Sequence, residues 1–255
     1  MNIVLNEYDW AKDMIAQSSL GDKPFETLCR VAKYYISDGY KGKDLKILMN
    51  TFLLRCDPCA SVPKWENTIN LAVSRAQKYG LVMIDELVVT KPEIDIIKSL
   101  GTKQMQRLAF TLLCLSKYYD SINQNADHWV NTPDCDVMRM ANINTSIRRQ
   151  SLMYHSLNEL GLVQFSKKVD NTNVRVCFTT PGEDAVRITD MRNLGFQYMM
   201  HIGESGYLVC QNCGITKKYD RRGAGRMPKY CAECATKIKI RQDVETIMSR
   251  RRAAK

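Results

Sequence analysis

The sequence lacks any long apolar run. Among its 255 residues, no stretch approaches the roughly 18 apolar residues that a helix needs to cross a bilayer. The first residues, MNIVLNE, also lack the basic region and the long apolar core of a signal peptide. These absences argue against a membrane-spanning protein and predict a cytoplasmic location.

Histidine is scarce, and the usual catalytic patterns are missing. The three histidines, His128, His155 and His201, are far apart in the sequence. No glycine-rich phosphate-binding loop follows a predicted strand, and no carboxylates have the spacing of a two-metal nuclease. The sequence therefore predicts a non-enzymatic protein.

Net charge is almost absent from most of the chain. In total, 37 Lys and Arg residues outnumber 27 Asp and Glu residues, which gives a net charge of +10. Residues 207–255 hold 13 of the basic residues and only four of the acidic ones, so residues 1–206 are close to neutral. A cationic segment of this kind favours a polyanionic partner, and we expect nucleic acid.

Apolar residues, which make up 45% of the chain, recur at helical spacing three times before residue 80. The three stripes lie within residues 25–36, 45–56 and 65–76. Short connections between such helices are typical of a small helical bundle, which we predict over residues 1–88. Methionine, tyrosine and cysteine residues on the stripes are interpreted as core, because buried thiols and thioethers act as hydrophobic groups.

The middle of the chain changes from helical to alternating periodicity. Thr90 and Glu93 have the spacing of a capping box, and the apolar run 105–119 predicts a central buried helix. A short strand near Trp129, a helix after Pro133 and a helix 146–160 follow, and then a two-stranded hairpin over 162–178. This order of elements resembles a winged helix-turn-helix domain, which we predict within residues 89–200.

In a winged helix-turn-helix domain, the helix 146–160 would be the recognition helix, since it follows the turn and precedes the wing. We expect Ile147, Met153, Leu157 and Leu160 on its inward face. The outward residues expected to meet a major groove are Arg148, Ser151, Leu152, His155 and Asn158. The wing residues expected to contact phosphate are Lys167, Lys168 and Arg175. The alternative is that this domain serves protein contacts, because it carries little net charge.

Four of the ten cysteines have the spacing of metal ligands. Cys210 and Cys213 form one CxxC pair, Cys231 and Cys234 form another, and 17 residues separate the pairs. Cytoplasmic thiols are kept reduced, which argues against disulfides. The pattern CQNCG…KYCAEC resembles a zinc ribbon or treble-clef finger, which implies one structural zinc ion within residues 201–255.

The remaining cysteines are interpreted as structural. Cys56 and Cys59 form a third CxxC pair, for which a redox pair or half of a metal site is the alternative to a helix-terminating turn. We favour the turn, because no second pair lies nearby. The other cysteines predicted to be packing residues are Cys29, Cys114, Cys135 and Cys177.

Basic residues and an aromatic residue surround the four metal-spaced cysteines. Positive charge follows a phosphate backbone without reading sequence, and an exposed tyrosine can stack on a base. The predicted nucleic-acid contacts in this segment are Lys217, Lys218, Arg221, Arg222, Arg226, Lys229 and Tyr230. A basic helix follows over residues 237–252. A solvated surface or a helix docked on an acidic protein are the alternatives.

The predicted fold class is therefore mainly α, with an N-terminal helical bundle, a winged helix-turn-helix middle domain and a small C-terminal zinc finger with a basic helix. This layout resembles uncharacterised bacteriophage or prophage proteins, and residues 25–76 are similar to helical domains that accompany phage and plasmid primases. The resemblance implies a role in replication or regulation in the host cytoplasm. The alternative is a phage-encoded inhibitor or adaptor that binds a host protein complex, such as a CRISPR nuclease.

Overall fold

The structure is a computed structural model that describes residues 3–123, 125–167, 173–219 and 227–253. Within these ranges the fold is mainly α, with small sheets of two or three strands. No helix there combines the length and apolar character that a membrane span requires. The chain forms two compact units, one of residues 4–85 and one of residues 86–255 together with the first three residues. The domain boundaries predicted after residues 88 and 200 stay predictions.

The unit of residues 4–85 is a helical bundle. Its helices are α1 (Glu7–Ala16), α2 (Pro24–Ser37), α3 (Gly42–Cys56) and α4 (Val62–Lys78). The three predicted stripes form its core, where Leu28, Phe52 and Ile69 are fully buried. The helix α1 was not predicted, because its apolar residues are few and interrupted by charge.

A buried carboxylate ties this bundle together. Glu7, at the start of α1, accepts hydrogen bonds from Lys33 Nζ at 2.7 Å and Arg30 Nε at 3.2 Å. The same carboxylate accepts a hydrogen bond from the backbone amide of Val82 at 3.1 Å. Arg30 also lies over the ring of Trp10. Glu7 therefore links α1, α2 and the segment after α4.

The second unit contains the other described elements. Its helices are α5 (Lys91–Lys98), α6 (Lys103–Ile122), α7 (Asp134–Met140), α8 (Ile147–Glu159), α9 (Leu194–His201) and α10 (Ala232–Ala253). Its strands are β1 (Leu87–Thr90), β2 (Trp129–Val130), β3 (Val163–Phe165), β4 (Val174–Val176), β5 (Asp184–Ile188), β6 (Tyr207–Val209) and β7 (Thr216–Lys218).

Helix α6 is the centre of this unit. Every residue from Leu108 to Ser116 is buried, as the apolar run predicts. Helix α9 packs along α6, where Tyr198 Oη donates to Gln106 Oε1 at 3.2 Å. Gly195 lets α9 approach the end of α7 closely, because an added Cβ would lie 2.0 Å from the carbonyl oxygen of Ala141.

Two small antiparallel sheets flank α6. Strands β2, β4 and β3 form a sheet in that order, with Val163 opposite Val176 and Trp129 opposite Arg175. Strands β1 and β5 form the other, with Leu87 opposite Ile188. The pairing of β1 with β5 joins segments about 100 residues apart in the chain. The periodicity of the sequence did not predict this pairing.

The predicted capping box at the start of α5 is confirmed and extends into a buried network. The Thr90 amide donates to Glu93 Oε2 at 2.8 Å, and Glu93 has no exposed surface. Its Oε1 atom accepts hydrogen bonds from Lys117 Nζ at 2.8 Å and from the Thr180 amide at 3.1 Å. Glu93 thus connects α5, α6 and the segment that precedes β5.

Two predictions about buried residues are wrong. Ile147 and Leu160 were expected on the inward face of α8, but they are 80% and 61% exposed. They lie at the two ends of the helix, beyond the turns where Met153, Tyr154 and Leu157 are buried. The cysteines Cys135 and Cys177, expected to pack inside, are exposed, because one lies on the outer side of the short helix α7 and the other lies directly after the end of β4.

Candidate metal centre

The first cysteine pair lies in a tight hairpin turn. Strands β6 and β7 are antiparallel, with Val209 opposite Thr216. The Cys210 amide donates to the Ile215 carbonyl at 3.0 Å, and the Gly214 amide donates to the Cys210 carbonyl at 2.9 Å. Gly214 has a φ of +70°, a conformation that glycine adopts without strain. The turn therefore presents Cys210 and Cys213 to the same side.

The second pair lies at the start of a helix. Cys231 immediately precedes α10, and Cys234 is in its first turn, where the Ala235 amide donates to the Cys231 carbonyl at 2.9 Å. The Gln211 amide also donates to the Lys229 carbonyl at 3.0 Å, and this bond joins the two segments. The hairpin and the helix together bring the pairs face to face.

The four Sγ atoms lie within 4.8 Å of one another, and we refer to Cys210, Cys213, Cys231 and Cys234 as the cysteine cluster. The Sγ atoms of Cys213 and Cys231 are 3.9 Å apart. Four sulfurs about 2.3 Å from a tetrahedral zinc ion would be about 3.8 Å from one another. The cluster can therefore hold a metal ion, as its spacing predicts.

The surroundings oppose a free thiolate at two of the cysteines and favour one at a third. Burial raises the pKa of Cys213 to about 12 and also raises the pKa of Cys231. Burial acts in the same direction on Cys210, but hydrogen bonds from the backbone amides of Cys231, Cys213 and Asn212 outweigh it and lower that pKa to about 6. A bound cation is what would allow all four sulfurs to be deprotonated together.

Polar side chains outside the cluster hold it in place. Asn212 Nδ2 lies 3.3 Å from the Cys234 sulfur, and Arg192 Nη2 donates to the Cys213 carbonyl at 2.9 Å. Asn193 Nδ2 donates to the Thr216 carbonyl at 2.9 Å. The segment before α9 therefore supports the hairpin. Sequence reasoning missed Arg192 and Asn193, whose only signal was a short polar stretch before an apolar helix.

Asn193 also links the hairpin to the turn before α8. Its Oδ1 atom accepts a hydrogen bond from Asn142 Nδ2 at 2.9 Å, and Asn142 Oδ1 accepts one from the Phe196 amide at 3.1 Å. Both asparagines have positive φ angles, 55° at Asn142 and 54° at Asn193. Asparagine tolerates this conformation better than most residues.

The predicted nucleic-acid contacts near the cluster differ in exposure. Lys218 and Lys229 are exposed, whereas Lys217 is partly buried and lies 3.5 Å from the Glu233 carboxylate. Tyr230 is partly buried and packs against the cysteine cluster, which leaves only part of its ring accessible. The predicted contacts that lie outside the described residues are Arg221, Arg222 and Arg226.

The predicted contacts on α8 share one outward face. Arg148, Ser151 and His155 are all exposed, and the His155 ring lies 5.2 Å from that of Phe165 in β3. Asn158 is partly buried and donates from Nδ2 to the Val163 carbonyl, so its amide is used within the fold. The exposed outward face also includes Leu152.

The three hairpin residues predicted to contact phosphate differ in how available their charges are. Lys167 is exposed at the end of β3. Arg175 binds the Asp127 carboxylate at 2.7 Å, so its charge is already paired within the chain. Lys168 lies outside the described residues.

The third CxxC pair terminates a helix, as predicted. Helix α3 ends at Cys56, and the Cys59 amide donates to Asp57 Oδ1 at 3.0 Å. The Ala60 amide donates to the Asp57 carbonyl at 3.0 Å and closes the turn. In the part of the chain that the structure describes, the potential metal ligands that come together are those of the cysteine cluster.

The fold and the site together define a mainly α protein with a four-cysteine cluster that can bind a metal ion. Comparison with known proteins found no matching family model, no matching curated protein and no matching solved structure. Function is therefore inferred from the chemistry and geometry of the residues themselves.

Proposed function

We propose that this chain is a non-enzymatic nucleic-acid-binding protein whose C-terminal finger is built on one structural zinc ion. The observation that carries the proposal is the position of the positive charge. Nearly all of the net charge of +10 lies in residues 207–255, the segment that also contains the cysteine cluster. A phosphate backbone is the ligand that such a concentration of charge would attract.

Zinc is the metal that best suits the cysteine cluster. Four thiolates at tetrahedral spacing match a structural zinc site, and they leave no open position for catalysis. One pair lies in a hairpin turn and the other at the start of α10, an arrangement that supports a treble-clef finger rather than a zinc ribbon. Zinc binding would contribute on the order of 10 kcal/mol to the folding of so small a segment.

Basic side chains are available on both sides of the cluster. Lys218 and Lys229 are exposed next to the two cysteine pairs. Helix α10 continues past the cluster, and among its side chains whose exposure the structure describes, the exposed basic ones are Lys237, Lys239, Arg241 and Arg250. These cations provide sequence-independent contacts to phosphate along one segment.

The helix α8 is the second element of the proposed interface. Strands β3 and β4 follow it and form a sheet with β2, which precedes α7, an arrangement that supports a winged helix-turn-helix domain. Arg148, Ser151 and His155 are exposed side by side and offer hydrogen-bonding groups to base edges. In this proposal α8 adds base contacts to the binding that the finger supplies.

The test uses the full-length, metal-loaded protein with labelled single-stranded and double-stranded DNA and RNA. Affinity should fall steeply with salt concentration, because each phosphate contact releases counterions. Arg221→Gln, Arg222→Gln and Arg226→Gln combined should weaken binding and flatten the salt dependence. The matched control replaces three exposed lysines of the other unit with glutamine: Lys12, Lys43 and Lys64.

The two triple variants remove the same formal charge from different places. We expect the control to bind nearly as well as the natural protein. Equal losses in both variants would mean that only total charge matters, and would contradict a specific interface. No detectable binding to DNA or RNA at low salt would overturn the proposal.

A protein-binding inhibitor or adaptor is the second candidate function. The observation that favours it is the apolar exposure of α8, where Ile147 is 80% and Leu152 is 58% exposed beside Arg148. Such residues are typical of a protein contact. A partner retained from nuclease-treated host lysate by the arginine triple variant, and lost with Ile147→Ser and Leu152→Ser combined, would support this candidate over nucleic-acid binding.

A further inference from the structure

Arg192 lies beside the cysteine cluster and is held there from both sides. Its Nε atom is 2.9 Å from both carboxylate oxygens of Asp190, and its Nη2 atom is 2.7 Å from Asp190 Oδ2. Its Nη2 atom also donates to the Cys213 carbonyl at 2.9 Å. The guanidinium group therefore has a defined position next to the first cysteine pair.

The position of Arg192 matters because the metal-loaded cysteine cluster would carry a negative charge. Four thiolates with one divalent metal ion carry a net charge of −2, which is costly in a site where three of the four cysteines are buried. The Arg192 Nη2 atom donates to the carbonyl group of Cys213 itself, and the carbon of that carbonyl is only three covalent bonds from the Cys213 sulfur. The charge of the guanidinium group therefore lies close to a ligand of the cluster.

The other described cations near the cluster are either paired with a carboxylate or exposed to solvent, as Lys218 and Lys229 are. Lys217 lies 3.5 Å from Glu233, so this cation is already close to a carboxylate. Asn212 approaches the Cys234 sulfur with an uncharged amide. Asp190 pairs with both Nε and Nη2 of Arg192, and Nη2 in addition donates to the Cys213 carbonyl, so the arginine contacts the cysteine turn directly.

We propose that Arg192 is a counter-ion of the metal centre, whose positive charge stabilises the metal-bound thiolates. This inference rests on the proposed zinc site and extends it to a residue outside the four ligands. Groups that contact metal ligands from outside commonly change metal affinity by about 10- to 100-fold when they are removed. The arginine would favour the loaded state and lower the nucleophilicity of the bound sulfurs.

The test compares Arg192→Met, which removes the charge, with Arg192→Lys, which keeps it. Zinc affinity is measured on the full-length protein by competition with a chromophoric chelator. Arg192→Met should weaken zinc binding about tenfold, and the difference from the natural protein should shrink in high salt because the interaction is screened. Arg192→Lys should bind zinc within about threefold of the natural protein. Arg187→Met is the control, since Arg187 pairs with Glu86 and Asp184 on β5.

A second measurement separates charge from a purely structural role. The rate at which an alkylating reagent attacks the zinc-bound cysteines should rise in Arg192→Met, because the sulfurs lose a neighbouring positive charge. It should change little in Arg192→Lys and Arg187→Met. Zinc affinity of Arg192→Met equal to that of the natural protein would overturn the inference, as would equal losses in the methionine and lysine variants.

The outcomes distinguish this inference from the proposed function. Failure of the natural protein to bind zinc would remove the metal site from the proposed function. Zinc binding that does not depend on Arg192 would refute only the counter-ion role. The nucleic-acid measurements are independent of both results.

Discussion

At the scale of the single residue, Glu93 joins three parts of the second unit. Its carboxylate is completely buried and receives hydrogen bonds from Lys117 and from the amides of Thr90 and Thr180. Glu93→Gln keeps the shape but removes the charge and one acceptor atom. We expect it to lower the free energy of unfolding by about 3 kcal/mol, which urea denaturation would measure.

The control for this prediction is an exposed ion pair of similar geometry. Glu183 contacts Lys91 at 2.7 Å, but 75% of its side chain is exposed. Glu183→Gln should leave the stability nearly unchanged, because water and side-chain entropy cancel most of the gain at a surface pair. If both variants lost stability equally, burial would not explain the role of Glu93.

At the scale of elements, the β6–β7 hairpin and the first turn of α10 depend on the cysteine cluster. They have only a small apolar cluster of their own, centred on Leu208. Cys213→Ser should therefore reduce metal binding and expose the amides of Cys210, Gln211 and Ala235 to faster hydrogen exchange, measured by mass spectrometry.

Cys59→Ser is the matched control for that prediction. Cys59 also belongs to a CxxC pair, but it lies in an exposed turn after α3. Its replacement should change neither the metal content nor the exchange of the hairpin. Unchanged exchange in Cys213→Ser would show that the hairpin is stable without four ligands.

The sequence predicts those elements whose pattern is local. Helices α2, α3, α4 and α6 follow from apolar spacing, and the metal ligands follow from two CxxC pairs. The pairing of β1 with β5 was not predictable, because strands of four and five residues show little periodicity and their partners lie about 100 residues apart. The position of Arg192 beside the cluster likewise depends on how α9 packs. Local sequence patterns do not predict that packing.

At the scale of the whole molecule, the two compact units each have a buried carboxylate. Glu7 accepts hydrogen bonds within the unit of residues 4–85, and Glu93 accepts them within the unit that begins at Glu86. We expect Glu7→Gln to lower the melting temperature of one calorimetric transition and Glu93→Gln that of the other. A metal chelator should affect only the second. A single transition that shifts as a whole in both variants would contradict this prediction.

The paired asparagines at 142 and 193 have a consequence for how such a chain can evolve. One hydrogen bond joins the two side chains, and each backbone has a left-handed conformation that few amino acids accept. A replacement at one position removes the hydrogen-bond partner of the side-chain amide at the other. Substitutions at the two sites should therefore be correlated. Aligned descendants of a common ancestor would then show these positions changing together, even though 50 residues separate them.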